Sequence, residues 1–217
     1  NVENSGAVAI FYGSRSQQIE LTHTQLILRS HPFVDGTAVQ DAQFGYALTI
    51  GDFNGDGFSD LAASTPFDNV AAIEDGSVSI FYGSPNGLSL TNDQLWSQDS
   101  DGISYASESG DAFGKALAAG NFNSDTYDDL AIGIPLENEG NISNAGAVYV
   151  LPGSADGLTA TGSRGWKQEG AELLGDAEDN DQFGNAIVAA DIENSGTEAL
   201  AVGEPKEDGI ATQIGHV

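Results

Sequence analysis

Nine consecutive residues, Asp52-Phe53-Asn54-Gly55-Asp56-Gly57-Phe58-Ser59-Asp60, set oxygen-bearing side chains at alternate positions around two glycines. A hard cation such as Ca²⁺ takes about six to eight oxygens at about 2.3–2.6 Å, several of them charged, from a backbone able to curl. Asp52, Asn54, Asp56, the carbonyl of Phe58 and Asp60 would supply such a cage from one short segment. Gly55 and Gly57 permit the positive-φ geometry of the curl. Without an ion, carboxylates within ~4 Å of one another repel by about 1–4 kcal/mol per pair, depending on the local dielectric. The segment therefore reads as a calcium loop. The competing reading is an Asp/Asn/Gly-rich hairpin turn without metal, because these residues dominate turns in any case. An EF-hand is excluded. Its bidentate Glu would fall on Ala63, and the following residues 61–66 are too few, and end in proline, for an exiting helix.

The elements that must hold this loop come from a repeat of about 70 residues. Gly6-Ala7-Val8-Ala9-Ile10-Phe11-Tyr12-Gly13-Ser14 returns as Gly76-Ser77-Val78-Ser79-Ile80-Phe81-Tyr82-Gly83-Ser84, and again as Gly146-Ala147-Val148-Tyr149-Val150-Leu151-Pro152-Gly153-Ser154. Phe44-Gly45 returns as Phe113-Gly114 and Phe183-Gly184, and Pro66, Pro135 and Pro205 follow in step. Self-similarity at this length marks a supersecondary unit stacked on copies of itself. Each unit holds four short strand patterns and no helical periodicity. In the first strand, Phe44, Tyr46, Leu48 and Ile50 share one face and Gly45, Ala47, Thr49 and Gly51 the other. The small face persists as Gly114, Ala116, Ala118, Gly120 and as Gly184, Ala186, Val188, Ala190, which predicts close approach by a second sheet. The second strand is 61–65 with copies at 130–134 and 200–204. The third is the Gly-x-Val segment, and the fourth centres on Leu26, Trp96 and Trp166, placed in the core between units.

Four antiparallel strands per unit, buried on both faces, predict an all-β fold, a β-propeller segment of four-stranded blades. The units divide as strands three and four of a first blade in 1–40, a second blade at 41–110, a third at 111–180, and the start of a fourth at 181–217. The chain opens at the third strand of one blade and stops at Gly215-His216-Val217, where another third strand begins. Closed propellers have about four to eight blades. The remaining blades are thus expected from a longer chain or from a neighbouring subunit. The start, Asn1-Val2-Glu3-Asn4, has neither a methionine nor a signal segment and reads as a mature or trimmed piece.

Phe-Gly at the first strand, Gly133-Ile134-Pro135 with its copies Ser64-Thr65-Pro66 and Gly203-Glu204-Pro205, and the DxNxDGxxD loop between them resemble FG-GAP repeats over essentially the whole chain. These repeats build the seven-bladed propeller of integrin alpha subunits and of bacterial integrin-alpha-like surface or secreted proteins. The resemblance implies Ca²⁺ in the hairpins joining strands one and two, and a role in adhesion or partner binding. Carried onto this chain, it matches the first loop fully. The second offers Asn121, Asn123, Asp125, the Tyr127 carbonyl and Asp129. It has two carboxylates instead of three and no glycine at Ser124 or Thr126, so its site is weaker. The third aligns Asp191, Glu193, Ser195, Thr197 and Ala199, lacks a closing oxygen, and is expected to be a metal-free hairpin.

Charge narrows the function classes. Thirty-three acidic residues against six basic ones leave a net charge of −27, which repels nucleic acid and anionic membranes. No run of 18 apolar residues offers a membrane span. Cysteine is absent, which removes disulfides, thiol catalysis and zinc-thiolate sites. Acidic, lysine-poor composition fits a secreted protein soluble in salt. His23, His31 and His216 fall at unrelated phases of the repeat without a motif-linked Ser or Asp, so no catalytic set is assigned and the chain is read as non-enzymatic. In a four-stranded meander the calcium hairpins share one end with the turn Ser84-Pro85-Asn86-Gly87. The longer connections 67–75, 99–111, 136–145 and 169–181 gather at the other end, where binding usually resides. The last of these carries Glu169, Glu172, Asp176, Glu178, Asp179 and Asp181, so a partner there would be basic or cation-bridged; a solvated acidic rim is the equal alternative. Asn141-Ile142-Ser143 is a formal glycosylation acceptor. The expected role is an extracellular adhesion or protein-interaction module with a protein or glycan ligand. Alternatives are the non-catalytic propeller of a lectin or secreted carbohydrate-active enzyme, and an architectural subunit of a surface assembly.

Overall fold

The structure, a computed structural model, describes residues 2–13, 19–70, 74–168 and 176–207, without the side chains of 19–23. The expectations for Gly215-His216-Val217, Glu169 and Glu172 lie outside the described residues, as does the side chain of His23. The described residues form twelve strands and no helix: β1 (Val8–Gly13), β2 (Ile19–Ile27), β3 (Leu48–Gly51), β4 (Asp60–Thr65), β5 (Ser77–Phe81), β6 (Gln94–Trp96), β7 (Ala116–Gly120), β8 (Asp129–Ile134), β9 (Ala147–Leu151), β10 (Arg164–Lys167), β11 (Ala186–Ala190) and β12 (Ala199–Gly203). β3–β6 and β7–β10 are four-stranded antiparallel meanders, and β1–β2 and β11–β12 are two-stranded sheets. Registers repeat from sheet to sheet: Gly51 lies opposite Asp60, Gly120 opposite Asp129 and Ala190 opposite Ala199. This is the architecture of a partial β-propeller.

The core lies between successive sheets. Every residue of β4, β5, β8 and β9 is buried, because each middle strand is covered on both faces. Ala62, Val78 and Ile80 of the second blade meet Leu130, Ile132, Tyr149 and Leu151 of the third, while Val8 and Ile27 of the first meet Leu61, Ala63 and Phe81. The innermost strands β3, β7 and β11 lie side by side. Their small faces make this contact: a Cβ on Gly51 would stand 3.2 Å from that of Ala119, and one on Gly120 3.3 Å from that of Ala189.

Two sequence expectations need correction. Phe-Gly is not part of the first strand, since Gly45, Gly114 and Gly184 have φ near +88 and the extended backbone starts only at Leu48, Ala116 and Ala186. Phe44 consequently leaves the face of Tyr46, Leu48 and Ile50. It is 2% exposed, whereas Ile50 is 67% exposed. The phenylalanine docks instead on the preceding blade, where the amides of Phe44, Phe113 and Phe183 donate to the carbonyls of Ser5, Asp75 and Ala145, each at 2.9 Å. The second correction concerns the fourth strands. Trp96 packs against the core shared with the third blade, but Leu26 and Trp166 are exposed, at 59% and 43%; Leu200 and Val202 of β12 line a cavity with Trp166 without closing over it.

Candidate metal centre

The β3–β4 hairpin curls because its own side chains accept its amides. Asp52 accepts from Asp56 N at 3.1 Å and from Gly57 N at 3.0 Å, Asn54 Oδ1 from Asp56 N at 3.0 Å, and Asp56 from Phe58 N at 2.8 Å. These are Asx turns in series. Gly55 and Gly57 take φ of +69° and +86° to permit them. Asp60 closes the loop from the buried first position of β4, accepting from Phe53 N at 2.9 Å and from Gly83 N at 2.8 Å. Gly83 lies two residues past the end of β5, so the hairpin and the turn after the third strand share one end of the blade, as the meander requires.

The β7–β8 hairpin repeats this network. Asp125 N donates to Asn123 Oδ1 and Tyr127 N to Asp125, both at 2.8 Å, and Asp129 accepts from Phe122 N and Gly153 N, both at 3.0 Å. Ser124 takes the left-handed conformation of Gly55, at φ +64°. The chemistry differs at two points. In the place of the acceptor Asp52, Asn121 donates its amide to Asp125 O at 2.7 Å, and its Oδ1 accepts nothing. The Asn123 amide donates to Asp125 at 2.8 Å and to Asp129 at 3.3 Å, so a neutral NH₂ bridges the two carboxylates. The β11–β12 hairpin keeps only the opening: Asp191 accepts from Ser195 N at 2.8 Å and Gly196 N at 2.9 Å, and Ala199 stands where Asp60 and Asp129 close the other loops.

Electrostatics separate these acids. Burial pushes the Asp60 carboxyl up to about 6 against the pull of the Gly83 and Phe53 amides, with Asp56 and Asp52 adding like charge. Burial also raises Asp129. Asp191, in the open, is lowered by its amide donors, Gly196 first. Asp52, Asn54, Asp56, Asp60 and the Phe58 carbonyl are thus gathered on one loop, as are Asn121, Asn123, Asp125, Asp129 and the Tyr127 carbonyl. Asp52, Asp56 and Asp60 do not bring one oxygen each within 4.8 Å of one another. Among the described residues the trio that does so is Asp181, Glu204 and Glu207. The donor set, all oxygen, suits a hard cation.

Sequence reasoning missed the bonds between hairpins. Asp52 N donates to Asp128 at 2.8 Å and Asn121 N to Glu198 at 2.9 Å. The return bonds run from Asp128 N to Asp52 O and from Glu198 N to Asn121 O, both at 3.1 Å. Acids at corresponding places in successive loops were the available signal. At the opposite end, Arg29 contacts Asp68, Gln98 donates to Glu137 at 2.8 Å and Gln168 to Glu207 at 3.1 Å. None of these stands in a recognised motif.

Stacked four-stranded sheets, docked through Phe-Gly and opened by a recurring acidic hairpin, define a propeller made of tandem repeats. The FG-GAP repeat family model matches residues 44–81 and 113–151, so the chain carries FG-GAP repeats. It is similar to phosphatidylinositol-glycan-specific phospholipase D of Rattus norvegicus, 29% identical over 181 residues, covering 83% of this chain and 20% of the relative. It is similar as well to integrin alpha-PS5 of Drosophila melanogaster, 30% identical over 177 residues, covering 77% of this chain and 15% of the relative. Integrin alpha-V of Gallus gallus is 31% identical over 175 residues, covering 77% of this chain and 14% of the relative. The chain therefore spans a fifth or less of the length of these relatives.

Proposed function

We propose that this chain is a non-catalytic, protein-binding propeller segment of an extracellular adhesion protein, with Ca²⁺ bracing the hairpins 52–60 and 121–129. Its blades divide at 41–110 and 111–180. The observation that carries the reading is the same Asx turns and the same buried closing acid built into two hairpins of an FG-GAP scaffold. The network fixes one end of each blade and leaves the connections at the other end to vary. Asp52, Asn54, Asp56, Asp60 and the Phe58 carbonyl hold the first ion. Asn121, Asn123, Asp125, Asp129 and the Tyr127 carbonyl hold the second, more weakly because the Asn123 amide already bridges its two carboxylates. Non-catalytic use of the acids is supported by their bonding, since Asp60 and Asp129 each accept two backbone amides. One group of relatives carries the name of a phospholipase D, yet this chain corresponds to a fifth of that length. Among the described residues no helix is long and apolar enough to cross a membrane.

The test is binding of the chain to a panel of extracellular matrix proteins in Ca²⁺ and in EDTA, beside an assay for phosphodiester hydrolysis. Calcium-dependent binding without hydrolysis is expected. Hydrolysis by the isolated chain would overturn the reading. A glycan-binding reading has one observation in its favour. The half-exposed Trp166 lines a cavity of about 500 Å³ with Arg164, Thr159, Asp125 and Asp129, which is suited to stacking a sugar ring. A glycan array decides it.

A further inference from the structure

A position repeated in three blades carries a second, independent cation argument. Just past each fourth strand a polar side chain reaches the acid that follows the second strand of the next blade, always 39 residues on: Arg29 to Asp68, Gln98 to Glu137, Gln168 to Glu207. At the first position the Arg29 guanidinium itself supplies positive charge. At the second, the Lys167 ammonium does so, 3.0 Å from Glu137 and 2.6 Å from Glu139. The third position has more acid. Asp181 repeats Asp111, Glu207 repeats Glu137, and Glu204 is added where the other blades have Thr65 and Ile134. One oxygen from each of the three lies within 4.8 Å of the others. Among the described residues no basic side chain forms an ion pair with Asp181 or Glu204.

A crowd of carboxylates alone is not a site, but two buried oxygens here lack hydrogen-bond partners. Gln168 is 2% exposed and its Oε1 accepts nothing, while the Nε2 of the same amide rests on Glu207 at 3.1 Å, so the orphan oxygen borders the cluster. Glu204 Oε1 is also buried and unpartnered. Leaving such acceptors dry is unfavourable unless something positive meets them. We propose that Asp181, Glu204 and Glu207, with the amide oxygen of Gln168, bind a divalent cation of the Ca²⁺ type at the end of the blade opposite the hairpin loops. It substitutes there for the basic side chains of the two earlier positions. An all-oxygen set holding three carboxylates and one neutral oxygen, with water completing six to eight ligands, matches the preference of that ion.

The experiment uses the whole chain with Glu204→Gln, which keeps shape and removes one charge. Without metal, the substitution relieves repulsion, so in EDTA the variant melts higher than the wild type. In millimolar Ca²⁺ the order reverses, and equilibrium dialysis finds one fewer bound Ca²⁺ per chain. A variant that melts higher in both conditions, or that binds as many ions as the wild type, overturns the proposal. Glu207→Gln gives the same crossing if Glu204→Gln fails to fold. Asp56→Asn, in the first hairpin, separates the two kinds of site: it removes a different ion and leaves the Glu204 crossing intact.

Discussion

Arg29 and Asp68 form a buried ion pair between blades, and the same 39-residue offset joins Gln98 to Glu137 and Gln168 to Glu207. Both partners are about 2% exposed, and Arg29 also donates to Asp35 O at 2.7 Å and to Ser79 Oγ at 2.9 Å. Removing one partner of such a pair leaves an uncompensated buried charge, at a cost of about 3–5 kcal/mol. Arg29→Met should therefore destabilise the chain by that order in urea unfolding. The double variant Arg29→Met with Asp68→Asn should recover a large part of the loss, because no buried charge is then left alone. Strict additivity of the two single changes would argue that the pair carries no coupling.

Asp111 gives the chain an acid-side dependence. Burial pushes its carboxyl up to about 7 from the ordinary 3.8, and the nearby Glu137 and Glu108 add to the rise. Its folded form therefore holds a proton that the unfolded chain releases near 4. The associated stability is fully present below about pH 4 and is lost as pH rises through about 7. Asp111→Asn, which still accepts an amide, should flatten that slope. The variant should be more stable than the wild type at pH 8 by on the order of 1–3 kcal/mol, read from urea midpoints at several pH values. Parallel wild-type and variant profiles between pH 4 and 7 would show that Asp111 is not the titrating group.

What the residues reveal by themselves depends on the range of the interaction. The four strands, their order and the curl of 52–60 follow from local alternation and Asx-turn chemistry, and these are read correctly from short windows. The small inner face of β3 and β7 is also legible, because glycine and alanine in alternate positions exclude anything but close approach. The latches at 29/68, 98/137 and 168/207 are not, since an acid three or four residues past a strand looks like any surface acid until the neighbouring blade is placed. Asp128 and Glu198 hide for the same reason. Parity places Phe44 on a strand face, and the positive φ of Gly45 breaks that parity. The repeat position of Trp166 predicts a core residue, yet burial belongs to the neighbour and not to the position.

Gly76 explains why the third strand opens on glycine. Its φ is +90°, and a Cβ there would lie 2.4 Å from the carbonyl oxygen and 2.6 Å from the nitrogen of Phe113, both backbone atoms that cannot swing aside. Gly146 meets Phe183 in the same way. Gly76→Ala combines a left-handed conformation with a backbone clash. It should destabilise by about 3 kcal/mol or more, mostly by undocking Phe113. Gly57→Ala, also at positive φ but with open space around it, isolates the conformational part and should lose only about 1 kcal/mol. Equal losses at the two positions would mean that blade docking contributes nothing at Gly76.

Calcium removal tests the hairpins. In the first loop, Asp52, Asp56 and Asp60 bring three charges to one turn, and the amides that satisfy them are neutral dipoles, so a divalent ion gains more here than at the Asn-bridged second loop. An ion that binds only the folded chain stabilises it by about 2.7 kcal/mol when present at about 100 times its dissociation constant. Chelation with EDTA should therefore lower the melting temperature, and Asp56→Ala should reproduce most of that loss and leave little further response to EDTA. Asp125→Ala should have the smaller effect, because the Asn123 amide retains Asp129 as a partner. Protons compete at the same place, since Asp60 titrates near 6 in the ion-free loop and must release its proton to bind. Calcium affinity should fall as pH drops below about 6. A melting temperature indifferent to EDTA at pH 7.5 would remove calcium from these hairpins and leave them as turns held by their own amides.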